Sequence, residues 1–159
     1  SEVIRRPKQL AEDGASSELA LLHALDELEA TQLLEPHIAF LQCTAPFTTG
    51  DQIDKVLEAL DIPGINSSLS VVPFHGFIWL KNGEGINHDP RKKRLRRQEL
   101  EPSYLENGGI YAMKTREFRE THNRFCSKCL PVKVEPLGPE IDTPSDLAVC
   151  RALAQVTQE

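Results

Sequence analysis

The sequence predicts an α/β fold with a mainly parallel sheet, because short apolar runs alternate along it with amphipathic helical patterns. Residues 37–60 show this most clearly. An apolar run at 38–43 is followed by a Thr-Ala-Pro-Phe break and then by a helical stripe from Ile53 to Leu60. Ligands in open α/β sheets bind just beyond the carboxyl ends of such strands. Gln42 is therefore a candidate site residue; the alternative is that it only ends the strand.

The same periodicities predict the other elements. Apolar runs predict further strands, the last of them a weak edge strand, and capping residues predict where helices start. Thr48 with Asp51 three residues later has the spacing of a capping box. The predicted strands are residues 2–5, 69–73, 107–114 and 132–134, and the predicted helices begin at Ser16 or Ser17, at Thr48 or Thr49, at Thr115 and at Thr143. We expect all of these elements in one domain of 159 residues.

Composition excludes several classes of protein. The net charge of −6 argues against a general nucleic-acid binder, and no run approaches the ~18 apolar residues of a membrane helix. The chain opens with charged residues instead of a signal peptide, and its four cysteines are too few for a disulfide scaffold. Cys126 and Cys129 form one C-x-x-C, but zinc would need two more ligands and only His122 is near in sequence, and a redox motif should open a helix, which this segment does not. We therefore expect reduced thiols and a cytoplasmic protein.

Residues 74–105 interrupt the α/β pattern. Phe77 and Trp79 alternate with polar residues and glycines, and six basic residues lie between Arg91 and Arg97. We interpret this segment as a hairpin or extended arm inserted into the α/β core, and its aromatic residues predict a homodimer contact. The basic run has three interpretations: a solvated face, a nucleic-acid patch, or a clamp for an anionic ligand. The flanking aromatic residues favour the clamp.

Two further segments carry candidate chemistry. Glu140 and Asp142 flank Ile141, so in an extended segment both carboxylates face one side and can share a magnesium ion. The alternative is that Asp142 helps to cap the next helix while Glu140 is solvated. Asn107 precedes two glycines, which let the backbone approach a ligand closely. The alternative for that segment is a plain turn before a strand.

Five segments of the chain occur together, in order, in one known family. They are Arg5-Arg6-Pro7 with DGASS at 13–17, LQCTAPF, Arg97-Gln98, ENGGIYAM and EIDTPSDL. In these segments the chain resembles the acylneuraminate cytidylyltransferases, also called CMP-sialic acid synthetases. The resemblance covers nearly every residue and corresponds to the larger, C-terminal part of such an enzyme. It implies a three-layer, Rossmann-like nucleotidyltransferase sheet with an inserted dimerisation arm at about 74–105.

The resemblance also implies a reaction and a set of site residues. The anomeric hydroxyl of a nonulosonic (sialic-type) acid attacks the α-phosphate of CTP and gives a CMP-sugar and pyrophosphate, with Mg²⁺ as cofactor. Which nonulosonic acid is used stays open. The implied roles are cytosine contacts for Arg6 and Ser17, sugar binding for Gln42, Asn107, Tyr111 and Phe125, contact with the sugar carboxylate or a phosphate during catalysis for Arg97, and magnesium binding for Glu140 and the catalytic Asp142.

The chain departs from the family pattern in two ways. Family members usually have proline and serine where Cys43 and Ala45 stand, and an aspartate where Glu140 stands. The family's first strands and its glycine-rich triphosphate loop are missing from this sequence. We therefore expect exposed sheet edges and, for these 159 residues alone, weak CTP binding without turnover. The alternative function is a truncated, non-catalytic relative that binds a nucleotide sugar or dimerises.

Overall fold

A computed structural model describes residues 3–12, 14–31, 34–135 and 138–156. Strands and helices alternate along the chain, which confirms the predicted α/β class. The elements are α1 (Ser17–Glu29), β1 (His37–Leu41), α2 (Gly50–Glu58), β2 (Ser67–Phe74), β3 (Ser103–Lys114), α3 (Thr115–Thr121), β4 (Cys129–Lys133) and α4 (Pro144–Val156). Within the described ranges, no helix has the length and apolar character that a membrane span requires.

The four strands form one mixed sheet in the order β1-β3-β2-β4. β3 is antiparallel to both of its neighbours, whereas β4 pairs with β2 in parallel. The prediction of a mainly parallel sheet is thus wrong for the pairing, although β1, β2 and β4 do run in one direction. The reason is that the chain leaves β2 at Phe74 and re-enters the sheet opposite it at Ser103, as in a hairpin. β4 lies at an edge, as predicted.

Helices cover both faces of this sheet. Because successive side chains of a strand point to opposite faces, β3 contributes to two cores. Ile110 packs on one face against Val56 of α2. Met113 packs on the other face against Leu25 of α1 and Phe118 of α3. The predicted three-layer arrangement is therefore confirmed, and it leaves the ends of the strands as the accessible part of the sheet.

Several local predictions need correction. Residues 3–5 form no strand, and Glu2 of that predicted strand lies outside the described residues. The N-cap of α2 is Thr49, which forms a capping box with Gln52 and not with Asp51. Thr48 instead donates its hydroxyl hydrogen to the carbonyl oxygen of Ala45 at 3.0 Å, in the turn that precedes the helix.

Two other helix starts follow the sequence pattern. Ser16, one of the two predicted caps, accepts a hydrogen bond from the amide of Leu19 at the start of α1. Thr143 and Asp146 cap α4 reciprocally: the Asp146 carboxylate accepts from the Thr143 amide at 2.8 Å, and the Thr143 hydroxyl accepts from the Asp146 amide at 3.3 Å. Asp142 contributes only its backbone amide to this cap, so its carboxylate is not used there.

Residues 75–102, which we call the arm, connect β2 to β3. A short hairpin pairs Trp79 with Gly85. The ring of His88 packs edge-on against Phe77 at 4.9 Å and against Trp79 at 4.6 Å, and the Arg94 guanidinium lies 4.7 Å from the centre of the Phe77 ring. Trp79 remains 54% exposed. The arm thus has a small aromatic core of its own and presents aromatic surface to solvent; the dimer contact stays a prediction.

Candidate functional site

A cleft of about 240 Å³ opens where β1, β2 and β4 end. The chain segments that follow the parallel strands form its walls, as expected for the ligand site of an α/β sheet. The segment after β1 contributes one wall, and the segment after β4 contributes another. Among the described residues, the lining is Ala45, Phe47, Thr48, Gln52, Val72, Leu105, Glu106, Asn107, Glu135, Gly138, Pro139 and Glu140.

A large bulge in β3 places Asn107 in this cleft. Leu69 pairs with Tyr111, and Val71 pairs with Glu106, so one residue of β2, Ser70, lies opposite four residues of β3, and three residues of β3 are extra. The Ser70 hydroxyl fills the gap by accepting from the amide of Ile110 at 3.0 Å and donating to the Asn107 side-chain oxygen at 2.5 Å. Segment 107–109 is therefore an interruption inside a longer strand, not a plain turn before one.

Glu140 is held at the floor of the cleft from two sides. The Thr44 hydroxyl donates to its carboxylate at 3.0 Å, and the Ile141 amide donates to the Thr44 carbonyl oxygen at 2.8 Å. The carboxylate lies across Gly108, where an added Cβ would come within 2.4 Å of Oε1. The loop after β1, the bulge and the segment before α4 thus meet at one carboxylate.

The other two predicted residues of this region lie beside the cleft. Gln42 follows β1, and its backbone N–H donates to the carbonyl oxygen of Gly109 at 3.1 Å, which ties the end of β1 to the bulge. Asp142 is exposed two residues beyond Glu140. Within the described ranges, no group of three or more His, Cys, Asp or Glu side chains is placed to hold a metal ion. Two carboxylates and a substrate phosphate are nevertheless a common magnesium site.

A second cluster lies on the α1 side of the sheet and contains Tyr111 and Phe125, whose rings meet edge-on at 6.0 Å. Arg124 joins them: its guanidinium lies 4.7 Å from the centre of the Tyr111 ring and 5.2 Å from that of Phe40. Its Nε lies 2.6 Å from the Glu18 carboxylate, with side chains only 13% and 22% exposed. Arg124 also donates to the hydroxyl of Ser17, so the predicted cytosine contact Ser17 is engaged inside this cluster.

Electrostatics in this cluster keep Tyr111 neutral and Glu18 ionised. Burial, together with a hydrogen bond from its hydroxyl to the Glu106 carboxylate, raises the pKa of Tyr111 to about 12. Burial alone raises the pKa of Glu18, but the hydrogen bond and charge of Arg124 outweigh burial and lower it overall. At neutral pH the cluster therefore contains a paired arginine, a neutral phenol and a carboxylate that accepts the phenol's hydrogen bond.

The structure does not bring every predicted residue to these two places. Arg6 is exposed near the start of the chain. Arg97 begins a short 3-10 turn of the arm and is exposed as well. Neither residue lines the cleft in a single copy of the described chain. The roles predicted for these two arginines therefore stay predictions.

Sequence reasoning missed three residues of the second cluster. Glu106 is the first residue of the ENGGIYAM segment, but no sequence pattern assigns it a role. Arg124 and Glu18 are single charged residues 106 positions apart, and no local pattern links them. The only available signal was that Arg124 directly precedes the aromatic residue Phe125.

The two cysteines of the C-x-x-C segment pack against apolar side chains of the sheet. Cys126 is buried and directs its thiol toward the carbonyl oxygen of Asn66 at 3.4 Å. Burial raises the pKa of the Cys126 thiol and of the Cys129 thiol. A raised pKa keeps both groups as thiols, which are poorer nucleophiles and metal ligands than thiolates. Cys126 belongs to one core cluster, and Cys129 packs against another.

Comparisons with known proteins support the fold. No protein-family model matches the sequence. The chain is similar in structure to the 4-diphosphocytidyl-2C-methyl-D-erythritol synthase of Anaerococcus prevotii, with a TM-score of 0.62 and 13% identity over 89% of this chain and 68% of that one. It is similar also to the 2-C-methyl-D-erythritol 4-phosphate cytidylyltransferase of Thermus thermophilus, with a TM-score of 0.59 and 20% identity over 96% of this chain and 78% of that one.

A third solved structure resembles the chain to a similar degree. It is a CMP:2-keto-3-deoxy-manno-octonic acid synthetase complexed with CTP, with a TM-score of 0.55 and 14% identity over 92% of this chain and 70% of that one. At such identities the likeness establishes the fold. The chain therefore has the Rossmann-like nucleotidyltransferase fold of these three enzymes.

Proposed function

We propose that this protein is a cytidylyltransferase that joins CMP from CTP to a nonulosonic, sialic-type acid and releases pyrophosphate. The observation that carries the proposal is the convergence of Asn107 and Glu140 in a cleft at the ends of the parallel strands, with Gln42 beside it. The fold supports it, because the similar solved structures include enzymes that by name make cytidylyl derivatives of a sugar phosphate or a sugar acid. The five sequence segments favour the sugar acid.

In this mechanism the protein positions two reactants and performs little covalent chemistry itself. The anomeric hydroxyl of the sugar attacks the α-phosphate, and pyrophosphate leaves. Gln42 and Asn107 offer amide groups that hydrogen-bond sugar hydroxyls. Tyr111 and Phe125 wall the sugar pocket, and Arg6 and Ser17 contact the cytosine end of the nucleotide. Arg97 meets the sugar carboxylate or a phosphate from the arm.

Magnesium fits the donor set at the cleft. Glu140 and Asp142 provide carboxylate oxygens, the hard ligands that magnesium prefers, and Glu140 is already fixed by Thr44. Magnesium bound there would neutralise charge on the phosphates as the reaction proceeds. The remaining ligands would come from phosphate oxygens and water, which is usual for this ion.

The test measures pyrophosphate release by the purified protein, expressed with any coding sequence that lies upstream of these 159 residues, with CTP, magnesium chloride and one acceptor at a time. The acceptors are N-acetylneuraminic acid, 2-keto-3-deoxy-manno-octonic acid and 2-C-methyl-D-erythritol 4-phosphate. Release with the first, together with the mass of its CMP conjugate, supports the proposal. Release with only 2-C-methyl-D-erythritol 4-phosphate would show that the protein transfers CMP to a phosphate group and not to a sugar acid. No release and no binding of CTP or a CMP-sugar by calorimetry would contradict cytidylyl transfer.

In the protein extended to include a triphosphate loop, we expect Asp142→Asn to keep the fold and to lose most turnover. The Asp142 carboxylate takes no part in the α4 cap, so its loss should not disturb the helix. The amide that replaces it is a poorer magnesium ligand, and the magnesium concentration for half-maximal rate should rise. Pyrophosphate release against magnesium concentration, with Asp54→Asn on the exposed face of α2 as a control, checks this. Equal magnesium dependence in all three proteins would remove Asp142 from the site.

A second candidate function is a non-catalytic module that binds a nucleotide sugar or dimerises. One observation favours it: of the described residues that line the cleft, none is positively charged. A triphosphate in the cleft would therefore meet no cation among the described lining residues of a single copy. Tight binding of a CMP-sugar without turnover of any acceptor would establish this alternative.

A further inference from the structure

We propose that Glu106 binds the acceptor sugar through its carboxylate and that Arg124 positions it by way of Tyr111. This inference rests on the proposed cytidylyl transfer and adds two residues to it. Neither residue belongs to the set implied by the five sequence segments. The contacts run in a line from α1 to the bulge: Glu18 pairs with Arg124, Arg124 stacks on Tyr111, and Tyr111 donates to Glu106.

The first step of the argument concerns Arg124. Its guanidinium is nearly buried, is paired with Glu18 at 2.6 Å and lies over the rings of Tyr111 and Phe40. Removing such a pair from water costs about as much as the pair returns, so a buried ion pair is weak evidence of a stabilising role. What Arg124 does provide is a fixed orientation of the Tyr111 ring, because the planar guanidinium stacks on it.

The second step concerns Tyr111. Its side chain is buried at the end of the sheet, and only the hydroxyl reaches Glu106. The hydroxyl therefore fixes one oxygen of a carboxylate that is otherwise exposed. A glutamate on a strand surface normally samples several rotamers, and holding it in one lowers the entropy lost when a ligand binds.

The third step concerns the ligand. Glu106 directly precedes Asn107 and the bulge, and it lines the cleft together with Glu140. The Glu106 oxygen that does not hold Tyr111 is a further acceptor, open to a donor from a ligand. An ionised carboxylate repels phosphates and carboxylates, so it selects hydroxyl or amide N–H groups. The acceptor sugar of the proposed reaction carries such donors, whereas the triphosphate of CTP does not.

The decisive measurement compares the Michaelis constants of the two substrates. In Glu106→Gln we expect the constant for the acceptor to rise about fivefold to tenfold, because hydrogen bonds to a charged group are stronger than those to a neutral one. The constant for CTP should stay within about twofold. Glu101→Gln, another exposed glutamate close to β3, is the matched control. An unchanged acceptor constant in an active Glu106→Gln protein overturns the inference and leaves the proposed function intact.

Two hydroxyl deletions on β3 test the link through Tyr111. Tyr111→Phe keeps the aromatic wall but releases Glu106, so the acceptor constant should rise by a smaller factor than in Glu106→Gln. Tyr104→Phe removes a hydroxyl from an exposed ring of the same strand and should change neither constant. If Tyr111→Phe behaves like Tyr104→Phe, Tyr111 does not position Glu106.

A spectroscopic titration tests the contacts without any turnover. The sequence has two tyrosines, so in a Tyr104→Phe background the phenolate absorbance reports Tyr111 alone. Adding Glu106→Gln should lower the pKa of Tyr111 from about 12, because the carboxylate disfavours the phenolate. Adding Arg124→Gln should raise the pKa of Tyr111, because the guanidinium favours the phenolate. If the substitutions only unfolded the protein, the pKa of Tyr111 would move toward its ordinary value in both variants. Opposite shifts therefore indicate that Glu106 and Arg124 both act on Tyr111 in the folded protein. Shifts in the same direction, or an acceptor constant unchanged in Arg124→Gln, contradict a positioning role for Arg124.

The two proposals fail in different ways. A wild-type protein that carries the upstream extension and still turns over no acceptor overturns cytidylyl transfer and, with it, the binding of an acceptor by Glu106. A wild-type protein that turns over its acceptor while Glu106→Gln matches it overturns this inference alone.

Discussion

Gly108 is the residue on which the geometry of the cleft depends most directly. Its φ angle of +64° lies in the left-handed region, and an added Cβ would lie 2.4 Å from one oxygen of Glu140 and 2.5 Å from the other. Both the backbone conformation and the close approach of the carboxylate require glycine. The bulge and the candidate magnesium ligand are thus coupled through one missing side chain.

Gly108→Ala should lower the free energy of unfolding by about 1–3 kcal/mol, which combines left-handed strain with the displacement of Glu140. Gly64→Ala is the matched control, because its φ angle is +82° but a Cβ there would meet nothing within 4 Å. Urea denaturation of both variants gives the comparison. If Gly108→Ala lowers the free energy of unfolding no more than Gly64→Ala does, Glu140 moves aside freely and is not held against the bulge.

Because of Tyr111, we expect the stability of the folded protein to fall at alkaline pH. The pKa of Tyr111 in the folded chain is about 12, above the ordinary 10.0. The unfolded chain therefore loses the phenol proton first, and the stability that Tyr111 contributes below pH 10 falls as the pH rises toward 12. Tyr111→Phe has no such proton and should lose less stability over that window. Denaturant midpoints at several pH values check this; parallel curves for the two proteins would contradict it.

At the scale of elements, the pairing of β2 with β3 decides where the site residues lie. β3 needs three extra residues opposite Ser70, and the Ser70 hydroxyl replaces the ladder bonds that this interruption removes. The apolar alternation of the sequence predicts the inner half of β3 well. It does not predict the bulge, because the compensating group is on another strand.

Ser70→Ala should lower the free energy of unfolding by about 1–3 kcal/mol, because the buried amide of Ile110 loses its partner. Ser68→Ala is the control on the same strand: Ser68 is equally buried, but its hydroxyl only donates to the Val56 carbonyl oxygen. The Ser70 variant alone should also weaken sugar binding, since Asn107 loses the hydroxyl that holds it. Equal effects of the two substitutions on stability and binding would argue against this role of Ser70.

At the scale of the molecule, the arm is the part that the α/β core does not explain. It exposes five large apolar side chains around its basic run: Ile78, Trp79, Leu80, Ile86 and Leu95. Exposed apolar surface commonly marks a protein contact where the side chains form a patch. Since the cleft contains no cation in the described residues of one copy, we keep the proposal that two copies associate through the arm.

We expect a dimer by size exclusion with light scattering at micromolar concentration. Replacing Trp79 and Ile86 with serine should shift the mass toward that of a monomer, because both side chains lie largely in solvent within one copy. The exposed Val156 of α4, changed to serine, controls for a general effect of surface polarity. A wild-type monomer, or a dimer that survives the double substitution, would contradict the proposed role of the arm.

The sequence by itself determined most of the elements and the end of the sheet where the candidate site lies. Helical and strand periodicities are local, so α1, α2, β1 and β2 could be predicted to within a few residues. The segment after β1 and the segment before α4 were both candidates, and they meet at Thr44 and Glu140. These predictions hold because a strand's carboxyl end and a helix cap depend on neighbours in sequence.

Only the tertiary structure decided the direction of β3, the bulge and the second cluster. The direction of β3 follows from where the arm returns the chain to the sheet, which no periodicity encodes. The contact between Arg124 and Glu18 joins residues 106 positions apart, and its strength comes from burial that exists only after the layers have packed. Residues whose proposed roles depend on distant partners, such as Glu106 and Arg124, could therefore be identified only in the folded chain.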